Sequence, residues 1–261
     1  LHPGVAYVVN HVDYNIQDAA IDSVLRKGRV LGTGALKAGE QFNVSNLDGE
    51  RKRITEYLAN RGYYRFNKDY ITFRADTVAG VSKVDLTLVL HPFPVSRDSI
   101  GAHPVYTVRN VNYKSGDPED DRIPFRTSVL RSNTFITSGQ PYSAKDLQTT
   151  YNRFGRLQAI KYTNISFVED EAAKELDCNI QLTANKPHSI SFQPEGTNTA
   201  GDLGAAASLT YQHRNVFRGS ELLSLELRGA YENIKGLEGY SNEDFLEYSV
   251  EAKLQFPRFI A

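Results

Sequence analysis

The composition of this 261-residue chain excludes several classes of protein. Hydrophobic residues make up 40% of it, which is enough to bury cores, so the chain is not a disordered tail. Its 30 basic and 31 acidic side chains give a net charge of −1, which argues against a general nucleic-acid binder. The single cysteine excludes an internal disulfide framework, and no apolar run approaches the ~20 residues of a transmembrane helix. We therefore expect a chain that is soluble or that crosses a membrane with β-strands.

Four stretches in the first part of the chain return in the same order further along it. A segment with the pattern Y-x-V-x-x-V-x-Y opens each series, and a segment of alternating apolar residues closes it. The four pairs are residues 7–14 with 106–113, 23–26 with 128–131, 39–47 with 139–147, and 84–90 with 176–182. This constant order predicts two copies of one structural unit.

The first half of the unit is predicted from its periodicity and its turn residues. The opening segment is rich in Val and Tyr, which predicts a strand. Ile21, Val24 and Leu25 then lie at i, i+3 and i+4, which predicts a short helix with one apolar face. A second helix follows a glycine turn, and we expect Ser45 and Ser143 to be its N-caps in the two copies.

Gly62 is expected to end the second helix of the first copy in a left-handed conformation. The next strand is predicted over residues 63–73, with its counterpart at 159–167, and the last strand over residues 84–90, whose apolar side chains alternate strictly. Each copy is therefore a β-α-α-β-β unit. Two helices can cover only one face of a three-stranded sheet, which predicts a two-layer α+β fold. We expect the third strand in the middle of this sheet and the second strand at its edge.

From about Pro187 the helical pattern stops, and apolar and polar residues alternate instead. Four segments of roughly ten residues are joined by turns that contain Gly, Asn or Asp; they lie at residues 189–198, 207–212, 223–229 and 245–256. This pattern is typical of a transmembrane barrel, with one face toward lipid and the other toward the lumen. A soluble antiparallel sheet with one wet face has the same pattern, so the alternation leaves both interpretations open.

Short motifs in the repeated units resemble the polypeptide-transport-associated (POTRA) domain. They are Gly62-Tyr63 before the second strand, and the turn Gly39-x-x-Phe42 ahead of the second helix. The second copy departs from this pattern, because residues 154–156 read Phe-Gly-Arg where the first copy has Arg-Gly-Tyr.

The C-terminal segments resemble the first hairpins of barrels in outer-membrane assembly factors of the BamA/TamA type. The likeness is carried by the turn at residues 214–221 and by the strand end at 255–259. It implies an α+β chain of two tandem β-α-α-β-β POTRA modules, at 1–96 and 102–186, followed at 187–261 by an antiparallel β meander that forms the first strands of an outer-membrane β-barrel. Four strands cannot close a barrel, so the barrel would be incomplete within this chain.

The resemblance implies a function in outer-membrane protein assembly and insertion in a Gram-negative bacterium. The POTRA modules would lie in the periplasm, bind unfolded clients by β-augmentation and deliver them to the barrel. The implied partners are unfolded outer-membrane or secreted proteins, accessory lipoproteins or another periplasmic protein, and outer-membrane lipid, but no nucleic acid. The alternatives are a two-partner secretion transporter, and a soluble periplasmic adaptor or binding protein.

The residues predict no catalytic, metal or cofactor site, because neither an acid-base or nucleophile constellation nor a set of histidines at metal-ligand spacing is present. The chain is therefore not expected to be an enzyme. Cys178 is expected to be a buried structural thiol, since it shares an inward face with Ile180.

Two strand segments remain as candidate sites, and both would act through the backbone. The first is a client-binding edge formed by Asp69, Tyr70, Ile71, Thr72, Phe73 and Arg74. Its alternative is an ordinary edge kept soluble by Lys68, Asp69 and Arg74. A proline at Ile71 would test this edge if the Ile71 N–H points outward. By analogy with the assembly factors, the second site is a gate strand that contains Ser189, Ile190, Ser191 and Phe192.

Overall fold

A computed structural model of the chain describes residues 6–34, 36–97, 99–199, 202–234 and 243–257. The last residues of the 255–259 motif, Arg258 and Phe259, lie outside these ranges. None of the described helices is both long enough and apolar enough to cross a membrane.

The first module is a three-stranded sheet with two helices. Its elements are β1 (Val8–Ile16), α1 (Ala19–Lys27), α2 (Val44–Ala59), β2 (Ile71–Thr77) and β3 (Lys83–Leu90). The strand order is β1-β3-β2, with β1 parallel and β2 antiparallel to β3. The central strand is therefore the third one, as the sequence predicts. A short hairpin, β4 (Phe93–Ser96) and β5 (Ser99–Gly101), follows the module.

The second module repeats this order of elements and of strands. It consists of β6 (Thr107–Ser115), α3 (Thr127–Asn133), α4 (Ala144–Phe154), β7 (Ile160–Asp170) and β8 (Glu175–Ala184), with the strand order β6-β8-β7. Four long strands come next: β9 (His188–Thr199), β10 (Asp202–Arg214), β11 (Leu222–Ile234) and β12 (Glu243–Gln255). They form an antiparallel meander in the order β12-β11-β10-β9. The predicted class, an α+β fold followed by an antiparallel meander, is confirmed.

The core of the first module lies between its helices and one face of its sheet. The alternating side chains of β3 are all buried on this face, and the helices cover them with buried aliphatic residues from α1 and α2. The core residues with no more than 2% exposure in these three elements are Val84, Leu86, Leu88, Leu90, Ile21, Leu25, Ile54 and Leu58. The α1 stripe predicted from Ile21, Val24 and Leu25 is confirmed, with Ile21 and Leu25 fully buried and Val24 partly buried against the core.

The start of the second strand differs from the prediction, because β2 begins at Ile71 and not at residue 63. Tyr63 and Phe66 are buried in the core, and the chain reaches β2 through a 3₁₀ turn at Lys68–Tyr70. Asn67 caps this turn, since its Oδ1 accepts from the Asp69 N–H at 2.8 Å. Closely spaced apolar residues such as Tyr63 and Phe66 resemble strand alternation in the sequence, so the predicted strand begins too early.

The N-cap prediction is correct for one helix and wrong for the other. Ser143 caps α4, because its Oγ accepts from the Asp146 N–H at 3.2 Å. In the first module Ser45 lies inside α2, and the cap is Asn43, whose Oδ1 accepts from the Asn46 N–H at 2.8 Å. Ser and Asn are both good N-caps, and propensity did not separate them.

The chain divides into two compact units whose limits do not follow the repeat. One unit comprises Leu1–Val111, Ile136–Gln148 and Phe167–Cys178, and the other comprises Asn112–Phe135, Thr149–Ser166 and Asn179–Ala261. Both include parts of the second module. The module borders expected at residues 96, 102, 186 and 187 therefore stay predictions.

Cys178 lies in β8 and is fully buried, as expected. Burial raises the pKa of its thiol to about 12. A thiol reacts as its thiolate, so this cysteine is inert while β8 remains folded.

Candidate functional site

β2 forms one of the two edges of the first module's sheet, and its hydrogen-bond directions can be read from the register. In the β2–β3 pairing Ile71 lies opposite Leu90, and the His91 N–H donates to the Tyr70 carbonyl at 2.8 Å beyond that pair. Antiparallel pairs alternate between bonded and non-bonded, so Thr72, Arg74 and Asp76 bond to β3. The N–H and C=O groups of the remaining β2 residues, Ile71, Phe73, Ala75 and Thr77, therefore point away from β3.

Of the predicted client-binding edge at residues 69–74, only residues 71–74 lie in β2, and client binding there stays a prediction. Asp69 and Tyr70 belong to the 3₁₀ turn and not to the strand, which corrects the prediction for them. The Ile71 N–H caps that turn by donating to the Lys68 carbonyl, and the Ile71 side chain is fully buried. A proline at Ile71 would therefore disturb the core and is not a clean test. The open edge is displaced toward the C-terminal end of β2, to residues 73–77.

A cleft of about 610 Å³ lies beside this edge, between Phe73 and the first turns of α2. Val44 stands at its rim with 80% of its surface exposed. The Arg51 guanidinium lies over the Phe73 ring, with Cζ 5.6 Å from the ring centroid. At the rim, Lys68 pairs with Asp48 at 3.4 Å. The cleft thus combines apolar walls with a charged border, next to backbone groups that have no partner among the described residues.

The predicted gate strand forms another edge, because β9 is the first strand of the meander and lies at one side of its sheet. The Arg214 N–H donates to the Pro187 carbonyl at 2.7 Å, and Ser189 pairs with Gln212 two residues further along. The N–H groups of Ser189 and Ser191 therefore face β10, while those of Ile190 and Phe192 point outward. Pro194 occupies the next outward position, where a missing N–H removes no bond of the sheet.

The β9–β12 meander has one apolar and one polar face. Cross-strand neighbours share a face, so the register sorts the side chains into rows. One central row consists of Phe192, Leu209, Leu227 and Val250, and the adjacent row consists of Ser191, Thr210, Glu226 and Glu251. The apolar row is open to solvent: Phe192 is 65% exposed and Val250 is 77% exposed.

This exposed apolar face continues in the neighbouring rows. Two further rows contain Ile190, Tyr211 and Leu225, and Gly229 and Tyr248. Within the described residues, no element covers these side chains, and Ile190 and Tyr248 are 73% and 75% exposed. A soluble protein rarely leaves an apolar patch of this extent uncovered.

Gly62 lies at a joint that the sequence did not predict. It has the expected left-handed backbone, with φ at +93°, but α2 already ends at Ala59. The Gly62 N–H donates to the Tyr142 carbonyl at 2.8 Å, and the Gly62 carbonyl accepts from the Tyr106 N–H at 2.7 Å. Both partners are residues of the second module, and all three lie in the same compact unit. The glycine therefore connects the two modules as well as following a helix.

Aromatic rings and ion pairs complete this Gly62 joint. The Tyr64 ring packs edge-on against Tyr106, Tyr142 and Phe167, with centroids 5.8, 5.0 and 5.7 Å away. Arg65 pairs with Glu169 at 2.8 Å. The Tyr106 hydroxyl donates to the same carboxylate, and burial together with that bond raises the pKa of Tyr106 to about 12.

The buried Asp18 carboxylate links the start of α1 to the segment that follows the first module. Asp18 caps α1 with Oδ1, which accepts from the Ala20 N–H at 2.9 Å, and its Oδ2 accepts from the His103 N–H at 2.7 Å. The His103 Nε2 bonds to the His91 carbonyl at 2.9 Å. Burial lowers the pKa of His103, so the ring is neutral near pH 7.

Comparison with known proteins gives matches among solved structures. No family model matches the sequence, and no curated protein matches it. The crystal structure of BamA from Haemophilus ducreyi lacking POTRA domains 1–3 is 14% identical with a TM-score of 0.54, over 95% of this chain and 47% of that one. The chain thus spans about half the length of that structure.

Two other structures match less well. Haemophilus influenzae BamA POTRA3–5 is 17% identical with a TM-score of 0.44, over 69% of this chain and 62% of that one. CdiB from Acinetobacter baumannii is 10% identical with a TM-score of 0.43, over 95% of this chain and 42% of that one. Together with the repeated β-α-α-β-β order, the first match establishes the architecture: this chain has the fold of BamA-type, POTRA-containing proteins, with an antiparallel meander after its second module.

Proposed function

We propose that this chain is the periplasmic and membrane-entry part of an outer-membrane protein assembly factor. Its two α+β modules bind unfolded clients, and its C-terminal meander forms the first strands of a barrel in the outer membrane. The borders of these parts are those expected from the sequence, 1–96, 102–186 and 187–261. Accessory lipoproteins or a periplasmic partner belong to the same proposal.

The exposed apolar face of the meander carries this proposal. Its strands have 12 or 13 residues. A tilted strand of about ten residues is long enough to span a bilayer, so each of these strands could cross one. Lipid solvates the row of Phe192, Leu209, Leu227 and Val250, while the row of Glu226 and Glu251 faces a wet lumen. A soluble adaptor would have to cover the apolar row with another element.

The client end of the proposal rests on the β2 edge and its cleft. A client in an extended conformation adds a strand along Phe73, Ala75 and Thr77, and its main-chain groups bond to theirs. Main-chain bonding is independent of sequence, which suits many clients. The cleft beside Phe73 and Val44 accepts an apolar client side chain, and that contact selects β-strand segments with apolar residues at alternate positions.

Extraction of the full-length protein from membranes tests the proposal most directly. We expect the protein to stay with the outer-membrane fraction in carbonate or high salt and to leave it only in detergent, because apolar strand faces are solvated by lipid. Release by carbonate without detergent would contradict the membrane assignment and would favour the soluble adaptor.

A proline at Ala75 tests the client edge. The Ala75 N–H points outward and its side chain is exposed, so Ala75→Pro removes a donor from the edge without removing a bond to β3. We expect photo-crosslinking of an unfolded outer-membrane client to a probe at the exposed Thr77 to fall at least fivefold, in line with the ~1 kcal/mol of one hydrogen bond.

Ala75→Val is the matched control, because it changes the same side chain and keeps the N–H. Crosslinking to this variant should equal that of the unchanged protein. Equal crosslinking to the proline variant would show that clients do not add to this edge.

A further inference from the structure

The connection between β6 and α3 is an insertion that distinguishes the second module from the first. In the first module two residues separate β1 from α1, at positions 17 and 18. In the second module eleven residues, 116–126, separate β6 from α3. An insertion of this length between otherwise matching elements needs a structural reason, since shorter connections suffice for the fold.

The cap position at the end of this insertion is occupied by an unusual residue. In the first module Asp18 caps α1 with its carboxylate, which is the common solution. In the second module the cap position of α3 is Arg126, which makes no side-chain cap. Arginine has no acceptor to offer a helix N-terminus, so its presence there indicates that its donors are used elsewhere.

The donors of Arg126 are used on the turn between β10 and β11. The Arg126 N–H donates to the Arg218 carbonyl at 2.9 Å, its Nε donates to the Phe217 carbonyl, and its Nη2 lies 3.4 Å from a Glu221 carboxylate oxygen. Two neighbouring carbonyls of the insertion accept from the turn. They are those of Pro124, from Asn215 Nδ2 at 2.8 Å, and of Ile123, from Arg218 Nη2 at 3.3 Å.

The turn has a conformation that it would not adopt by propensity alone. Asn215, Arg218 and Ser220 have φ angles of 79°, 60° and 65°, which are left-handed values that residues other than Gly rarely adopt. The buried Glu221 carboxylate holds the turn together by accepting from the Phe217 and Gly219 N–H groups at 3.1 and 2.9 Å. A strained backbone of this kind persists only where contacts with the surrounding structure hold it in place.

A second contact docks the turn from another side. The Ala159 N–H, just before β7, donates to the Ser220 Oγ at 3.0 Å, and Ser220 is buried. The turn is also linked to the gate strand, because the Arg214 N–H next to it donates to the Pro187 carbonyl just before β9. All of these residues belong to one compact unit.

We propose that residues 123–126 form a clasp that holds the 215–221 turn and thereby fixes the start of the β9 edge strand. Arg126 is the positioning residue on the insertion, and Glu221 is its counterpart on the turn. The clasp resists displacement of the first hairpins when a strand pairs with the β9 edge. The hydrogen bonds of the clasp can be measured whether or not β9 acts as a gate. An experiment that disproves the clasp therefore differs from one that disproves the assembly function.

Hydrogen exchange measured by mass spectrometry on the full-length protein in detergent tests the clasp. Arg126→Gln keeps a polar side chain but loses the guanidinium fork that reaches both Phe217 and Glu221. We expect the Gly219 and Ala159 amides to exchange at least tenfold faster in this variant. Arg122→Gln is the matched control, because Arg122 lies in the same insertion with an 89% exposed side chain, and Asp120 is its one ion-pair partner among the described residues. It should leave both amides unchanged.

The opposite half of the clasp gives a reciprocal test. A Cβ at Gly219 would lie 2.2 Å from a Glu221 carboxylate oxygen, so Gly219→Ala must displace that carboxylate. We expect the Arg126 amide, across the clasp, to exchange at least tenfold faster. Cys178 reports the integrity of the second module, because its buried thiol reacts with maleimide only when β8 opens. It should stay unlabelled in every variant.

Two results would overturn the clasp. One is an Arg126→Gln variant in which Gly219 and Ala159 exchange at the original rate. The other is a Gly219→Ala variant in which the Arg126 amide keeps its exchange rate. If Arg126→Gln unfolds the second module and exposes Cys178, the Gly219→Ala result alone decides whether the clasp exists.

Discussion

Val250→Arg should remove most of the full-length protein from the membrane-integrated state. Val250 lies midway along β12, in the same apolar row as Leu227, and is 77% exposed, so the arginine would point into lipid. Arginine at the bilayer midplane of a barrel costs about 2–4 kcal/mol. This corresponds to a shift of roughly 30-fold to 1000-fold between integrated and unintegrated protein. The measurement is the carbonate-resistant fraction, together with the fraction that migrates as folded protein in unheated SDS gels.

Ser249→Arg is the matched control for this prediction, because it introduces the same side chain one residue away. Ser249 pairs with Arg228 on the polar face, where a barrel has a wet lumen. We expect it to integrate nearly as well as the unchanged protein. Normal integration of Val250→Arg, or equal loss in both variants, would contradict the assignment of one face to lipid.

The two faces of the meander were predictable from the sequence because alternation is a local property. Side chains two residues apart share a face, so Leu223, Leu225 and Leu227 had to lie together whatever the rest of the chain does. The same reasoning predicted the buried row on β3. The alternation could not decide what covers the apolar face, because that depends on neighbours distant in sequence. The register and the exposure of Val250 supply this information.

The Gly62 joint and the clasp were missed for different reasons. The two backbone bonds of the joint link Gly62 to residues more than forty positions away, and such bonds leave no periodic signal. The clasp did have a signal in the sequence. The two copies differ by nine residues in the connection before their first helix, and an arginine stands where a cap residue is expected. Both features lie where the two copies of the unit differ, and not where they match.

The edge strand shows how a local error displaces a site. Tyr63 and Phe66 were assigned to a strand because they are apolar and closely spaced, but they fill the core before the strand begins. This moved the predicted edge toward the N-terminus, so that it included Asp69 and Tyr70 and ended before Ala75. The fold was insensitive to this error, since the strand order depends on β3. The site was sensitive to it, because only outward backbone groups can bind a client.

Gly62→Ala should open the joint between the modules. The alanine would keep a left-handed backbone, which costs about 1–2 kcal/mol in an L-residue. Its Cβ would also lie 2.5 Å from Val105 Cγ1 and 3.2 Å from the Tyr106 carbonyl oxygen, so the two backbone bonds of Gly62 must lengthen or break. We expect the free energy of local opening at the Tyr106 amide to fall by about 2–4 kcal/mol, which combines the backbone strain with overpacking.

Gly80→Ala separates the backbone term from the contact term. Gly80 has a φ of +78° in the β2–β3 turn, and a Cβ there would meet no atom within 4 Å. Both variants therefore carry similar backbone strain, and only Gly62→Ala carries the clash. Hydrogen exchange of the Tyr106 amide in the full-length protein measures the difference: it should rise about 30-fold to 1000-fold in Gly62→Ala and stay unchanged in Gly80→Ala. Equal rates in the two variants would mean that Gly62 is only a turn residue and that the modules are held together by their side chains.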